Sequence, residues 1–229
     1  MRFVRDRAYD AEFEQIAGIK WYPYVGKNFG ANNRRIMVYA HNIPIKKDDV
    51  DKKKAEWKDP GTWADCIDEY TYEQGWWTEA FRYFVKGAAR LSENYNEHSS
   101  PDTLAKVDDF IFGIAYLNFI QDLVASDSQI ANATEEQVVL SREINKEILR
   151  ILRITHCICW GKPTYEYVRT ISGFHAHSER SEGKTGFSSC LVNVAWGQMT
   201  CLRVHHPSMP RFDPYSKETQ GIIANFLNR

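Results

Sequence analysis

TEEQVVLSREINKEILRILRITHCICWGKPTYEYVRTI, residues 134–171, reads as a helix, a strand and a second helix in one unbroken run. Thr134 and Gln137 stand at capping-box spacing, where the first side chain accepts from the second residue's backbone N–H and the second reaches back. Leu140, Ile144, Ile148, Ile151 and Leu152 follow at helical intervals and share one buried stripe. Ile154 to Trp160 (ITHCICW) is then predominantly apolar without alternation, the pattern of a strand covered on both faces. Gly161 ends it. Pro163 falls in the first turn of the next helix, where its missing N–H costs nothing, and that helix runs to about Ile171. A strand held between two helices is the repeating unit of an α/β fold with parallel strands.

Working upstream, Phe110 to Phe119 (FIFGIAYLNF) is expected to be the second core strand, with a buried helix as the competing reading. Arg35 to Ala40 (RIMVYA) follows a polar turn and is expected to be the first, ended by His41-Asn42-Ile43-Pro44. Residues 1–34 read as a short helix and an irregular loop. Residues 46–58 (KKDDVDKKKAEWK) read as a solvated loop or helix face, since four acids sit among the lysines and weaken a phosphate-contacting reading. Residues 59–75 look like an ordered loop. Trp76 to Leu91 has helical spacing, with Trp77, Phe81, Phe84 or Val85, Ala88 and Leu91 on one face. Residues 92–102 form a polar break at Ser99-Ser100-Pro101.

Downstream, residues 172–189 are a polar excursion. Cys190–Val194 and Cys201–His205 are short apolar segments, either a hairpin or two separate strands. Ser216 caps a last helix with Ile222, Ile223, Phe226 and Leu227 as its stripe. The whole chain, 1–229, is expected to be a single α/β domain, a three-layer α/β/α arrangement around a short, mainly parallel sheet.

Composition narrows the function. Lys and Arg number 29 against 30 Asp and Glu, a net charge of -1, so the chain lacks the global field of a nucleic-acid coat and retains room only for a local basic patch. Five cysteines, an odd number without a CxxC pair, point to a reducing compartment. Cys157 and Cys159 would share one strand face as packing thiols. The first residues carry charges and no apolar core of a signal peptide, and the longest apolar stretch is too short to span a bilayer, so a cytoplasmic location away from membranes is expected. No GxGxxG, Walker loop or GxSxG elbow is present. His175 and His177, with His205 and His206, lack zinc-ligand spacing, so no metal and no cofactor is expected.

In parallel α/β sheets ligands bind outside the carboxyl ends of the strands. The polar residues there are His41, Asn42, Asn118, Gly161, Lys162, His205, His206 and Ser208. Four of the segments that carry them resemble the uracil-DNA glycosylase superfamily. CICWGKPTYEYV (157–168) is similar to the family's third strand and following helix, and VHHPSM (204–209) to the His-Pro-Ser motif that ends its last strand. IAYLNF (114–119) is similar to the second strand, which ends in an Asn. The stretch from Tyr22 to Pro44 is similar to the approach and first strand that precede a water-activating Gly-x-Asp-Pro or Gly-x-Asn-Pro motif. Here Ala40 stands in place of that Gly and Ile43 in place of the Pro.

The resemblance implies a uracil-DNA glycosylase-like fold and a DNA base-excision enzyme that hydrolyses the N-glycosidic bond of uracil or a related damaged base. It implies DNA containing such a base as partner. By position, His206 would contact the uracil O2 and hold negative charge there, and Asn118 would read the pyrimidine edge. Asn42 would position the water, or His41 would in a register shifted by one. Tyr22, Tyr24, Trp63 and Phe29 are candidates to stack on the base. Lys162, Arg203, Ser208 and Arg211 would meet the DNA backbone, and Met209, Pro210 or Arg211 would wedge into the duplex. The cysteine group that holds an iron–sulfur cluster in some members is missing. An amide has no useful pKa, so Asn42 would place a water without deprotonating it. The second reading therefore stays open: a catalytically weak or inactive glycosylase-like protein that binds nucleic acid, a nucleotide or a protein partner.

Overall fold

The computed structural model describes residues 5–67, 71, 78–125, 132–183 and 185–228. A single turn, α1 (Asp10–Phe13), buries Phe13. The chain then passes through β1 (Tyr24–Val25), β2 (Ile36–Ala40) and β3 (Ile43–Ile45). Gly26 follows β1 where a Cβ would lie 2.3 Å from the Phe112 carbonyl oxygen, so only glycine lets the two backbones approach.

The lysine-rich stretch forms α2 (Val50–Glu56), with no residue fully buried. Residues 60–65, expected as loop, form α3 (Pro60–Asp65). The Asp59 carboxylate accepts from the Gly61 N–H at 2.7 Å and Pro60 occupies the first position, two start signals that outweigh the Pro-Gly reading as a turn. Next comes α4 (Glu79–Ala88), which buries Phe81, Phe84 and Val85; Trp76 and Trp77 lie outside the described residues.

The expected polar break is the start of a helix, α5 (Pro101–Phe112), capped by Ser100, whose hydroxyl accepts from Thr103 N–H at 3.3 Å. The apolar run from Phe110 is therefore divided. Its first three residues close α5, Gly113 stops that helix, and β4 (Ile114–Asn118) takes the rest, every residue buried. After β5 (Leu123–Ala125), the long helix α6 (Glu135–Leu152) begins with its capping box intact, Gln137 N–H to Thr134 Oγ1 at 3.2 Å and Thr134 N–H to Gln137 Oε1 at 3.0 Å.

The fully buried β6 (His156–Trp160) leads into α7 (Gly161–Arg169). Gly161 at φ 82° makes the sharp turn from strand to helix. Part of the polar excursion is a strand, β7 (His175–Ser181), exposed along most of its length because it is the sheet's edge. The two short apolar segments are a hairpin, β8 (Ser188–Val194) and β9 (Gly197–Val204). Ser216 caps α8 (Lys217–Leu227).

Seven strands form one sheet in the order β1-β4-β2-β6-β9-β8-β7. The four central strands β4, β2, β6 and β9 run parallel, and β1, β8 and β7 are antiparallel additions at the two sides. β3 and β5 make a separate parallel pair just past the ends of β2 and β4.

Different helices cover the two faces. Phe81 and Phe84 of α4 meet Trp160 at ring-centroid distances of 6.4 and 5.2 Å, and Phe226 of α8 meets His156 at 5.5 Å, so these helices lie over one face. The other face carries Tyr39, Cys157, Cys159, Cys201 and Arg203, whose guanidinium lies 5.8 Å from the Tyr165 ring of α7. Cys157 Sγ and Cys159 Sγ are 3.6 Å apart on that face, and burial pushes both thiols up in pKa, so they pack rather than react. Among the described residues no helix is long and apolar enough to cross a membrane.

Candidate active site

All four central strands deliver their carboxyl ends to one edge. Cross-strand pairing sets Ala40 beside Asn118, Tyr39 beside Cys159 and Trp160 beside Val204. One row therefore runs Asn118, Ala40, Trp160, Val204 across the same face of the sheet. Its smallest member stands between the two largest polar-edged ones. Ala40 contributes a single methyl to this row, and the Trp160 indole reaches past it to pack on Tyr116 of β4, ring centroids 5.6 Å apart.

His206 follows Val204 by two residues and returns to this face, standing edge-on to Trp160 with ring centroids 5.8 Å apart. The strands that carry Asn118 and His206 are three spacings apart, roughly 14 Å at the backbone.

His206 is held neutral. Ser208 N–H points at its Nδ1 at 3.4 Å, and the Ser208 hydroxyl lies 2.7 Å from the same nitrogen. A backbone N–H only donates, so Nδ1 accepts and the ring proton sits on Nε2. Burial, with the neighbouring His41 adding to it, brings the His206 pKa down to about 4. The result is a neutral Nε2–H donor at the end of β9, and the serine of the His-Pro-Ser segment is the residue that sets its tautomer.

Several buried polar atoms at this edge lack partners. Among the described residues, nothing bonds to His41 Nε2, Trp160 Nε1 or Thr164 Oγ1. His41 turns to the opposite face, where its ring lies 5.7 Å from Tyr167 of α7, and burial lowers its pKa. Asn118 is 4% exposed, and among the described residues no hydrogen bond reaches its side-chain amide. Unsatisfied buried groups cost about 1–3 kcal/mol each. Asn42, two residues past Ala40, is half-buried beside this row.

No family model and no curated protein matches this chain.

The structure therefore brings His41, Asn42, Asn118 and His206 to one edge. Lys162, Ser208, Met209 and Arg211 surround them, all exposed, at the adjoining ends of β6 and β9. The expected stacking rings divide. Tyr24 pairs with Tyr116 in β4 but is fully buried, at 0% exposure. Trp63 stacks on Tyr116 at 5.5 Å, also buried. Tyr22 lies instead against Phe13 at 5.7 Å, with the Arg5 guanidinium 5.8 Å from its ring, in the cluster around α1. Phe29 belongs to the far end of the sheet, where the neighbouring Asn28 N–H bonds to the Phe112 carbonyl. Phe29 is thus placed away from the row that holds Asn118, while the Tyr22 ring packs into the α1 cluster.

Two residues of this edge escaped sequence reading. The Trp160 N–H carries no local signal, since its surroundings are made by Tyr116, Phe84 and His206 from distant segments. Tyr167, which packs on both His41 and Phe119, reads in sequence as one more residue of a helix. Among the described residues no cluster of His, Cys, Asp or Glu is arranged to hold a metal ion.

A cavity of ≈ 520 Å³ adjoins this edge and shares Ser208 and Met209 with it. The segment from Pro207 to Tyr215 forms one wall, and Glu79, Tyr83 and Asn94 form the other.

Proposed function

We propose that the protein is a DNA base-excision glycosylase of the uracil-DNA glycosylase type, acting on uracil or a related damaged base. The observation that carries this reading is the row Asn118, Ala40, Trp160, Val204, continued by His206. The segments at residues 114–119, 157–168 and 204–209, which resemble the family, end side by side. Breaking an N-glycosidic bond puts negative charge on the leaving pyrimidine and positive charge on the sugar. A neutral Nε2–H of His206 would donate to the pyrimidine oxygen as charge develops there. The Asn118 amide both donates and accepts, as a uracil edge requires. Asn42 would hold the attacking water by its side-chain oxygen. The base would reach this edge only by leaving the helix stack.

A second reading, a binding protein of the same build with little or no turnover, is favoured by one feature. Among the described residues named for the site there is no carboxylate to deprotonate the water or balance the sugar cation.

The deciding experiment is base release from uracil-containing single- and double-stranded DNA by the wild type, Asn118→Ala and His206→Ala. The enzyme reading expects release by the wild type and a loss of about 10²–10³-fold in each variant. Release that ignores both substitutions ends the site assignment. DNA binding without release moves the protein to the second reading.

A further inference from the structure

We propose that the cleft between α2 and the Ile19–Trp21 segment binds a nucleotide of a single-stranded nucleic acid, next to the candidate active site. The cleft encloses ≈ 280 Å³, and its walls include Lys20, Lys53, Lys54, Lys58, Trp21 and Trp57. Lys53 and Lys54 come from the last turn of α2, and Trp57 and Lys58 from the residues that follow it. Asp122 is the one acid in the wall, and its carboxylate accepts from the Leu123 N–H at 2.8 Å. Lys53 is paired with Glu56 at 2.5 Å. Lys20, Lys54 and Lys58 are exposed, and among the described residues no carboxylate lies within ion-pair distance of them. The acids that cancel the lysines in the sequence of this stretch therefore do not cancel them in the cleft.

The aromatic half of the cleft selects the ligand further. Trp21 and Trp57 meet edge to face, 6.0 Å apart at 88°, and the Lys53 ammonium lies 5.5 Å from the Trp57 ring centre. Trp21 is buried and Trp57 is half-buried, so Trp57 is the more accessible of the two rings. Three uncompensated cations beside an available indole suit a ligand that carries phosphates and a flat base together. A bare phosphate would use the lysines and leave the ring idle.

Position supplies the rest. β3 and β5 carry the chain from the ends of β2 and β4 to this cleft, and Leu123 of β5 lines it. A strand with one nucleotide at the sheet edge would lay a neighbouring nucleotide here. The choice of a strand over a lone nucleotide rests on the base-excision reading; the cation-and-ring chemistry does not.

The test is fluorescence anisotropy of a short labelled oligo-thymidine strand without uracil, titrated with the full chain at several salt concentrations. The variants are Lys54→Ala/Lys58→Ala and Trp57→Leu, with Lys106→Ala/Lys217→Ala as a charge-matched control on other exposed surfaces. The expected result is binding that weakens about tenfold or more in the first two and holds in the control. The salt dependence should flatten by about two counterions in the double-lysine variant. Unlabelled thymidine monophosphate and inorganic phosphate are the competitors, and both should compete far more weakly than the strand.

Four results overturn the proposal: no strand binding by the wild type, affinity unchanged in the double-lysine variant, a mononucleotide competing as well as the strand, or phosphate alone competing as well. Trp57→Leu is scored only if its circular dichroism melt matches the wild type; the lysine pair, on the surface, decides otherwise. Lysine-dependent binding without base release would leave this site standing and remove the catalytic reading.

Discussion

In the proposed reaction His206 is the residue on which the chemistry would turn, and its low pKa is also a statement about folding. An ordinary histidine takes up a proton near pH 6.5, whereas His206 in the folded chain resists it until about pH 4. Between those values the unfolded chain binds a proton that the folded chain refuses, so stability falls as pH falls through that window. The contribution is about 2–3 kcal/mol, present in full above pH 6.5 and lost by about pH 4. Urea melts of the wild type and His206→Asn from pH 7 to pH 4.5 should show a steeper loss in the wild type. Parallel curves would mean that the ring is not held neutral. The same property keeps the Nε2–H donor available at neutral pH, where a charged imidazole would not report a tautomer at all.

At the scale of elements, helix α4 carries a lysine where its buried face should be apolar. Lys86 is 1% exposed, and its pKa is lowered to about 8, mainly by burial and then by the nearby Arg82. Its ammonium donates to the Asn94 side-chain oxygen, which also accepts from Tyr215 OH at 2.5 Å. The rings of Tyr83 and Tyr215 flank it at 4.5 and 5.5 Å. One amide oxygen thus ties α4 to the segment that precedes α8. Asn94→Ala leaves the ammonium without its acceptor and should lower unfolding free energy by about 1–2 kcal/mol. Adding Lys86→Met should restore most of it, because removing both partners is far cheaper than orphaning one. Thermal melts of the single and double variants check this, and a double variant no more stable than Asn94→Ala would contradict it.

The elements also show why some of the fold could be read from sequence and some could not. Residues 134–171 declared helix, strand and helix because period, cap and breaker agreed there. Helix α5 was hidden because Ser100-Pro101 is both a turn signal and a helix start, and because its apolar last turn runs without a break into β4. Strand β7 was hidden because an exposed edge strand has no apolar pattern to show. At the candidate site, Asn118 and His206 stand in the segments that the resemblance singles out, and the strand ends that carry them were legible as the ends of apolar runs. The unpaired Trp160 N–H and the His41–Tyr167 contact were not, since cross-strand register between distant segments creates both.

For the whole molecule, the sheet order is what gives the chain a site. Residues 40, 118, 160 and 204 become neighbours only because β4, β2, β6 and β9 run parallel side by side. With a net charge of -1, the proposed contact with nucleic acid would rest on local patches rather than on a global field. Lys162 and Arg211 lie at one side of the edge and the lysine cleft by α2 at the other.

The most direct test of this convergence is a double-mutant cycle between Asn118 and His206 in single-turnover uracil release. If both side chains hold one base, their losses overlap: Asn118→Ala/His206→Ala should be little slower than the worse single variant, a coupling of at least about 1 kcal/mol. Losses that simply multiply, or a wild type that releases no base, would contradict a shared pocket at the end of these strands.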